Sequence, residues 1–339
     1  MYLLEELSQK YKRISIVGMA KNAGKTTALN YLIEEAMDEG LTLGITSTGR
    51  DGEGTDVVTG TDKPRVFLDT DTIVSVPTQL YEMADAGLEI LRMTDYGSSL
   101  GQIMICRVAD AGYVQVAGPV INANQMEMCE EMLALGADLV LIDGAIDRKS
   151  IAAPESSDAI ILSTGAVLSR KMNKVVEETV HTVNLYRLPI LEDGEARKQI
   201  EELAENNQII VIRDGKAVLL DITTGLGAGK LLDNEIDDKT SHVFVPGAFT
   251  QSVVADINPK KLKNVTFVLK DPTKIFIGAT QWGKLCKRGL CIKVLENIEV
   301  AAITVNPTAP AGYKFDHEEL VNAMQEAIPD VPVIDVMLA

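Results

Sequence analysis

Short apolar runs alternate along this chain with longer stretches whose apolar positions return every three or four residues, the rhythm of strands followed by helices. The runs Ile14–Val17, Leu41–Thr46, Tyr113–Ala117, Leu139–Asp143 and Ala159–Ser163 have the continuous apolar character of strands buried on both faces. Between them, Thr26–Met37, Gln79–Leu91, Gln125–Leu135 and Ser169–Leu185 read as helices. Such alternation predicts an α/β fold with a mostly parallel sheet flanked by helices. Two further pairings are expected. Val66–Asp69 and Ile73–Val76 form a short hairpin across Thr70-Asp71-Thr72, with Ile103–Arg107 nearby, and Gln208–Ile212 with Lys216–Asp221 form another across Asp214-Gly215.

A glycine-rich passage, Thr223 to Lys230, and the acidic run from Asp233 to Asp238 interrupt the pattern and mark the expected boundary. Beyond it the alternation restarts, with strands at Val243–Val245, Val265–Leu269, Ile275–Ile277, Cys291–Val294, Val300–Val305 and Val333–Val336. Helices are expected from about Ala248, around Gln281–Lys287 and at Glu318–Ala327. The expected domains are therefore 1–222, a linker at 223–240, and a smaller α/β unit at 241–339. Gly225, Gly227, Gly229 and Lys230 imitate a phosphate loop, but no hydroxyl follows Lys230 and no adequate helix opens there, so a linker or turn is expected. Pro246-Gly247 and Asn306-Pro307 follow strands, where open sheets hold ligands, and turn chemistry alone explains both.

Composition narrows the function. With 339 residues, 46% hydrophobic and 24% charged, the chain can build more than one ordinary globular core. The formal charge of −17 is not relieved by any basic tract, which argues against nucleic acid and against an anionic membrane surface. Aromatics, at 4%, are too scarce to suggest stacking platforms. No stretch has the length of a membrane span, and Met-Tyr-Leu-Leu-Glu-Glu-Leu is acidic where a signal peptide is basic, so a cytoplasmic protein is expected. Cys106, Cys129, Cys286 and Cys291 lack metal-ligand spacing and read as reduced structural thiols; a redox pair of Cys286 and Cys291 is the alternative. The three histidines are too far apart in sequence to suggest a site.

The strongest chemical signal lies directly after the first apolar run. Gly18-Met19-Ala20-Lys21-Asn22-Ala23-Gly24-Lys25-Thr26-Thr27 supplies glycines that let backbone N–H groups turn toward a triphosphate, a lysine to share its charge, and a hydroxyl to ligate Mg²⁺. The helix that follows points its partly positive N-terminus at the same anion. Gly18, Lys21, Asn22, Ala23, Gly24, Lys25, Thr26 and Thr27 are the expected nucleotide-binding residues, with Lys25 catalytic and Thr26 on the metal. Lys21, inside the loop, contacts phosphate within its own subunit or is simply solvated. No Asn-Lys-x-Asp motif specifies guanine, so ATP is expected ahead of GTP.

A Mg²⁺ ion that keeps several waters needs a carboxylate at the end of a neighbouring buried strand. Leu139-Val140-Leu141-Ile142-Asp143-Gly144 provides it, with Asp143 as a catalytic and metal-associated residue and Asp147 and Arg148 as weaker neighbours. The segment from Gly44 to Asp56 is rich in hydroxyls, acids and glycines and has one arginine, Arg50, a composition suited to a loop that reorganises around Mg²⁺ and the γ-phosphate. Asp51 is the expected second metal-associated or water-orienting carboxylate; Asp56 competes for the role.

The five-residue spacing between Gly18 and Gly24 resembles the loops of dethiobiotin synthetase and the cobyrinic acid amidating enzymes, within the class that includes molybdopterin-guanine dinucleotide accessory proteins. The loop, the Thr46-Ser47-Thr48-Gly49-Arg50-Asp51-Gly52-Glu53 segment and Leu141-Ile142-Asp143-Gly144-Ala145-Ile146-Asp147-Arg148-Lys149 together resemble the P-loop subunit of the lysine 5,6-aminomutase reactivase of amino-acid-fermenting bacteria. That resemblance implies an ATPase working with a MutS-like subunit to exchange damaged adenosylcobalamin in an aminomutase. Two functions compete: a switch or chaperone-like ATPase acting on a protein partner, and a ligase that uses the γ-phosphate to activate a carboxylate. A nucleotide domain kept only for structure is the third reading, and a homodimer stays an open partner state.

Overall fold

The computed structural model describes residues 3–48, 65–119, 121–144, 157–222 and 228–337. They divide into two units, Met1–Val176 with Val300–Ala339, and Glu177–Glu299. The expected residues Arg50, Asp51, Asp56, Asp147 and Arg148 lie outside the described residues, as do 223–227 of the glycine-rich passage.

The first unit carries β1 (Arg13–Gly18), β2 (Leu43–Ser47), β3 (Val66–Leu68), β4 (Ile73–Pro77), β5 (Gly87–Ser98), β6 (Gly101–Asp110), β7 (Gly112–Val114), β8 (Leu139–Asp143) and β9 (Ala159–Gly165). The second carries β10 (Ile210–Arg213), β11 (Lys216–Leu219), β12 (Thr240–Phe244), β13 (Thr266–Leu269) and β14 (Cys291–Val294); the chain then returns to the first unit as β15 (Val300–Asn306) and β16 (Val333–Ile334). The large sheet has nine strands in the order β16-β15-β9-β1-β8-β2-β4-β6-β5. It is parallel from β16 through β4 and antiparallel at β6 and β5. The expected α/β class with a mostly parallel, helix-flanked sheet is what the fold shows. Its central strands are enclosed on both faces, since Ile14, Ile16, Leu139, Val140, Leu141 and Ile142 have no exposed surface.

Position in the sheet overrides local pattern in several places. The expected helix Gln79–Leu91 survives only as the turn Thr78–Tyr81, and Gly87 begins the long strand β5, which pairs along its length with β6. The apolar spacing across Leu80, Leu88 and Leu91 fits a helix, yet Gly87 sits against Asp110, where a Cβ would lie 2.6 Å from Oδ2. The expected hairpin of Val66–Asp69 with Ile73–Val76 does not form. β3 pairs with β7 instead, and β4 runs between β2 and β6, because Asp71 turns the chain with φ 68° and hands its N–H to Val108 O at 2.9 Å. Of Tyr113–Ala117 only Tyr113 and Val114 are strand, as the end of β7. Ile275–Ile277 makes only a bridge to Phe249, and Val333–Val336 shortens to β16. Helices at Leu3–Lys10, Gly194–Leu203 and Pro259–Asn264 complete the set; Asp193 and Asn258 cap the last two.

The domain division also differs from the expected one. The 208–221 hairpin forms as foreseen, with Asp214 at φ 47° and Gly215 at φ 73°, but β10 pairs onward to β12, so the hairpin belongs to the five-stranded sheet β11-β10-β12-β13-β14. The boundary at 223–240 therefore falls inside the second unit, where residues Gly229–Glu235 form a short helix. The last forty residues, given by sequence to the smaller unit, complete the large sheet instead.

At the amino end of β1, Asp158 accepts from the N–H groups of Lys12 and Arg13, each at 2.9 Å, and from the Arg13 guanidinium at 2.5 and 3.1 Å. Burial alone would raise the Asp158 carboxyl, but the Arg13 guanidinium and the two backbone donors overcome that and hold it below the ordinary carboxylate range. Its contribution to stability is complete above the unfolded-state pKa of about 4 and disappears as pH falls through the lower folded value. Chemical denaturation between pH 7 and pH 3 should show this loss. Asp158→Ala should remove about 2 kcal/mol at pH 7 and flatten that part of the profile; a profile identical to that of the natural chain would rule out the anchor.

Candidate functional site

Strand β1 ends at buried Gly18, the chain turns through residues 19–24, and a fifteen-residue helix begins at Lys25. Two residues in the turn are left-handed: Asn22 at φ 63° and Gly24 at φ 102°. Gly24 is the N-cap and contributes no side chain, so the opening turn of the helix is left facing the loop. The Lys25 side chain folds back across the end of β1, where a Cβ on residue 18 would lie 3.0 Å from both Cγ and Cδ of Lys25. Glycine at 18 is thus what lets the lysine stem lie along the strand end.

Of the other expected ligands, Ala23 is buried, Lys21, Asn22 and Thr26 are exposed, and Thr27 is half-buried at the start of the helix. Thr26 hydroxyl and Lys25 therefore open from adjacent positions at one helix N-terminus. Asp143 ends β8, which lies between β1 and β2, in register with Ile16 on one side and Ser47 on the other. Its carbonyl accepts from Thr48 N–H at 3.1 Å, and the next residue, Gly144, donates to Ile16 O at 3.2 Å. The half-buried carboxylate is thereby set at the carboxyl edge of the sheet beside the strand that enters the loop. The structure brings together Gly18 through Thr27 and Asp143; Asp51 and its neighbours lie outside the described residues.

The other flank of the loop comes from residues that sequence reasoning did not place there. Met19 N–H donates to Ser163 O of β9 at 2.9 Å, and Thr304 of β15 donates its hydroxyl to Ser163 Oγ at 2.8 Å. Asn306, at the end of β15, packs against Gly24 and offers Nδ2 to Asn22 O at 3.5 Å. Beyond it, Tyr313 donates its hydroxyl to Ala166 O at 2.5 Å and has the Arg170 guanidinium 5.3 Å from its ring centroid. Asn306-Pro307 after a strand was the available signal, but nothing local tells which loop that asparagine meets.

On the opposite flank, beyond Asp143, the ends of β2 and β4 are joined by a buried chain of polar groups. Gln125 Nε2 donates to Thr46 Oγ1 at 3.2 Å, the Thr46 and Ser75 hydroxyls lie 2.8 Å apart, and Ser75 Oγ donates to Ala117 O at 2.8 Å. This chain fixes the point where β2 leaves the sheet toward residues 49–64.

The cysteines give no competing centre. Burial pushes the Cys106 thiol up to about 11 and the Cys129 thiol to about 12, and desolvation also raises the Cys286 thiol, so none of these three is activated as a thiolate. Among the described residues no group of three or more His, Cys, Asp or Glu side chains is placed to hold a metal ion. No described helix is long and apolar enough to cross a membrane.

No family model, no curated protein and no solved structure matches this chain.

Proposed function

We propose that this protein is a Mg²⁺-dependent P-loop nucleoside triphosphatase that prefers ATP. The observation that carries the reading is the placement of Lys25, whose stem lies on Gly18 at the mouth of β1, with Asp143 ending the adjoining strand. Lysine, helix N-terminus, threonine hydroxyl and carboxylate then surround the place where a β,γ-phosphate pair and its metal would sit. Lys25 would share the phosphate charge, Thr26 would hold Mg²⁺, and Asp143 would orient water beside it. Mg²⁺ itself would neutralise the charge that develops on the phosphate oxygens. Asp51 remains the proposed second carboxylate.

The nucleotide is proposed to operate a switch. The motif resemblance to the P-loop subunit of lysine 5,6-aminomutase reactivase supports a chaperone-like ATPase that, with a MutS-like subunit, services an adenosylcobalamin-dependent aminomutase. The loop spacing, similar to that of dethiobiotin synthetase, supports a carboxylate-activating ligase instead. Phosphate release measured with the purified chain against a panel of small carboxylates separates them. The switch reading expects slow basal hydrolysis that no metabolite changes by more than about twofold and that the aminomutase complex accelerates, since a switch responds to differential binding by its partner. Stimulation of about tenfold or more by a single carboxylate would establish the ligase and dismiss the switch.

A further inference from the structure

We propose that Asn306 is the positioning residue of the phosphate loop: its side chain holds the left-handed turn Asn22–Gly24, and with it the direction of the loop's N–H groups. The inference rests on the nucleotide reading for its functional consequence and on local geometry for the clamp itself.

Asn22 is one of four non-glycine residues with positive φ among the described residues. That conformation is reluctant even for asparagine and persists where the surroundings impose it. Within the turn, Ala23 N–H reaches Ala20 O at 3.3 Å. What sits on the turn from outside is Asn306. Its Oδ1 accepts from Thr308 N–H at 3.0 Å, which fixes the side-chain rotamer and leaves Nδ2 to face the Asn22 carbonyl. At 3.5 Å that bond is long. Below the amide, Asn306 Cβ occupies the space beside Gly24; a Cβ there would lie 3.1 Å away, so the turn is packed from the same side from which it is hydrogen-bonded.

The clamp is itself fixed. Asn306 pairs with Gly165 of β9, whose lack of a side chain admits the Asn306 carbonyl; a Cβ at 165 would overlap that oxygen. The same strand receives Met19 N–H at Ser163 O. The loop is therefore referenced at its beginning to β9 and at its end to β15, two strands that pair with each other. Glycine at 18 and 24 gives the loop its freedom, and the β9–β15 pair removes it in one conformation. A preformed anion site of this kind avoids ordering its amides at the moment of binding.

The test uses the full chain. Asn306→Ala should weaken Mg-ATP binding, measured calorimetrically, about tenfold, equivalent to one lost hydrogen bond to a loop whose orientation matters. Hydrogen exchange of the peptide covering residues 19–28 in the ligand-free protein should accelerate by a similar factor, with the melting temperature nearly unchanged. In an Asn22→Gly background, where the left-handed turn no longer strains a side chain, the same substitution should cost less than about threefold. A role confined to strand packing would lower the melting temperature and would not be relieved by Asn22→Gly. Asn306→Ser, too short to reach Asn22, takes the place of alanine should that variant fail to fold. Unchanged exchange of residues 19–28, or an undiminished loss in the Asn22→Gly background, overturns the clamp. Failure of the natural chain to bind Mg-ATP refutes the nucleotide reading instead, while the exchange result still decides the clamp.

Discussion

Lys25→Ala is expected to weaken Mg-ATP binding at least about a hundredfold while moving the melting temperature by no more than about 3 °C. Truncating one partner of a desolvated, hydrogen-bonded charge pair removes about 2–5 kcal/mol, and about 2.7 kcal/mol is a factor of a hundred. The effect is large here because the molecule works against the ligand. A chain of net charge −17 repels a triphosphate at long range, so affinity has to come from cations and dipoles concentrated at one loop. Lys25 is the residue whose stem is fixed there, over Gly18, whereas Lys21 is exposed. The fold should tolerate the change because β1 and the helix Lys25–Glu39 are held by interior residues such as Ile14, Ile16, Ala28, Leu29 and Leu32, none more than 1% exposed. Unchanged ATP affinity in a folded Lys25→Ala variant would refute the loop assignment.

The second large effect is on turnover. Asp143→Asn keeps the size of the side chain, the Thr48 N–H bond to the residue 143 carbonyl and the Gly144 N–H bond to Ile16 O, so the edge of β8 should remain in place. What it removes is the charge that, on the proposed reading, would orient a metal-bound water. Hydrolysis should fall about a hundredfold, in the range of losing one preorganised electrostatic contact, while Mg-ATP affinity changes by less than about fivefold. Single-turnover measurement at saturating Mg-ATP checks the split. Equal rates in the natural chain and the Asp143→Asn variant would remove Asp143 from the catalytic step; a loss of binding with the saturated rate unchanged would make it a contributor to binding alone.

These two residues were singled out in the sequence because Asp143 terminates a buried, mainly apolar strand and Lys25 opens the helix that follows the loop leaving another. Ile14–Val17 and Leu139–Ile142 are buried on both faces, so no alternation is needed to recognise them, and the polar residue that follows must emerge at the sheet edge. Their adjacency in the sheet was expected from the chemistry of the metal and is found as direct pairing of β1 with β8. β5 was not legible, because Gly87–Ser98 is half-exposed and takes its structure from pairing with β6. The domain division was hidden for a related reason. Pattern locates strands but not their partners, and β15 rejoins β9 across the whole second unit. Asn306 is the extreme case, lying 284 positions from the carbonyl it faces, so no local signal can announce the contact.

Whether the turn after β1 holds a nucleotide is decided most directly by calorimetric titration of the full-length chain with ATP and with GTP, each in the presence and absence of Mg²⁺. Saturable binding of Mg-ATP in the micromolar range is expected, with weaker binding of GTP and loss of the heat in the Lys25→Ala chain. Absence of binding by either nucleotide at millimolar concentration would contradict the nucleotide reading at its foundation.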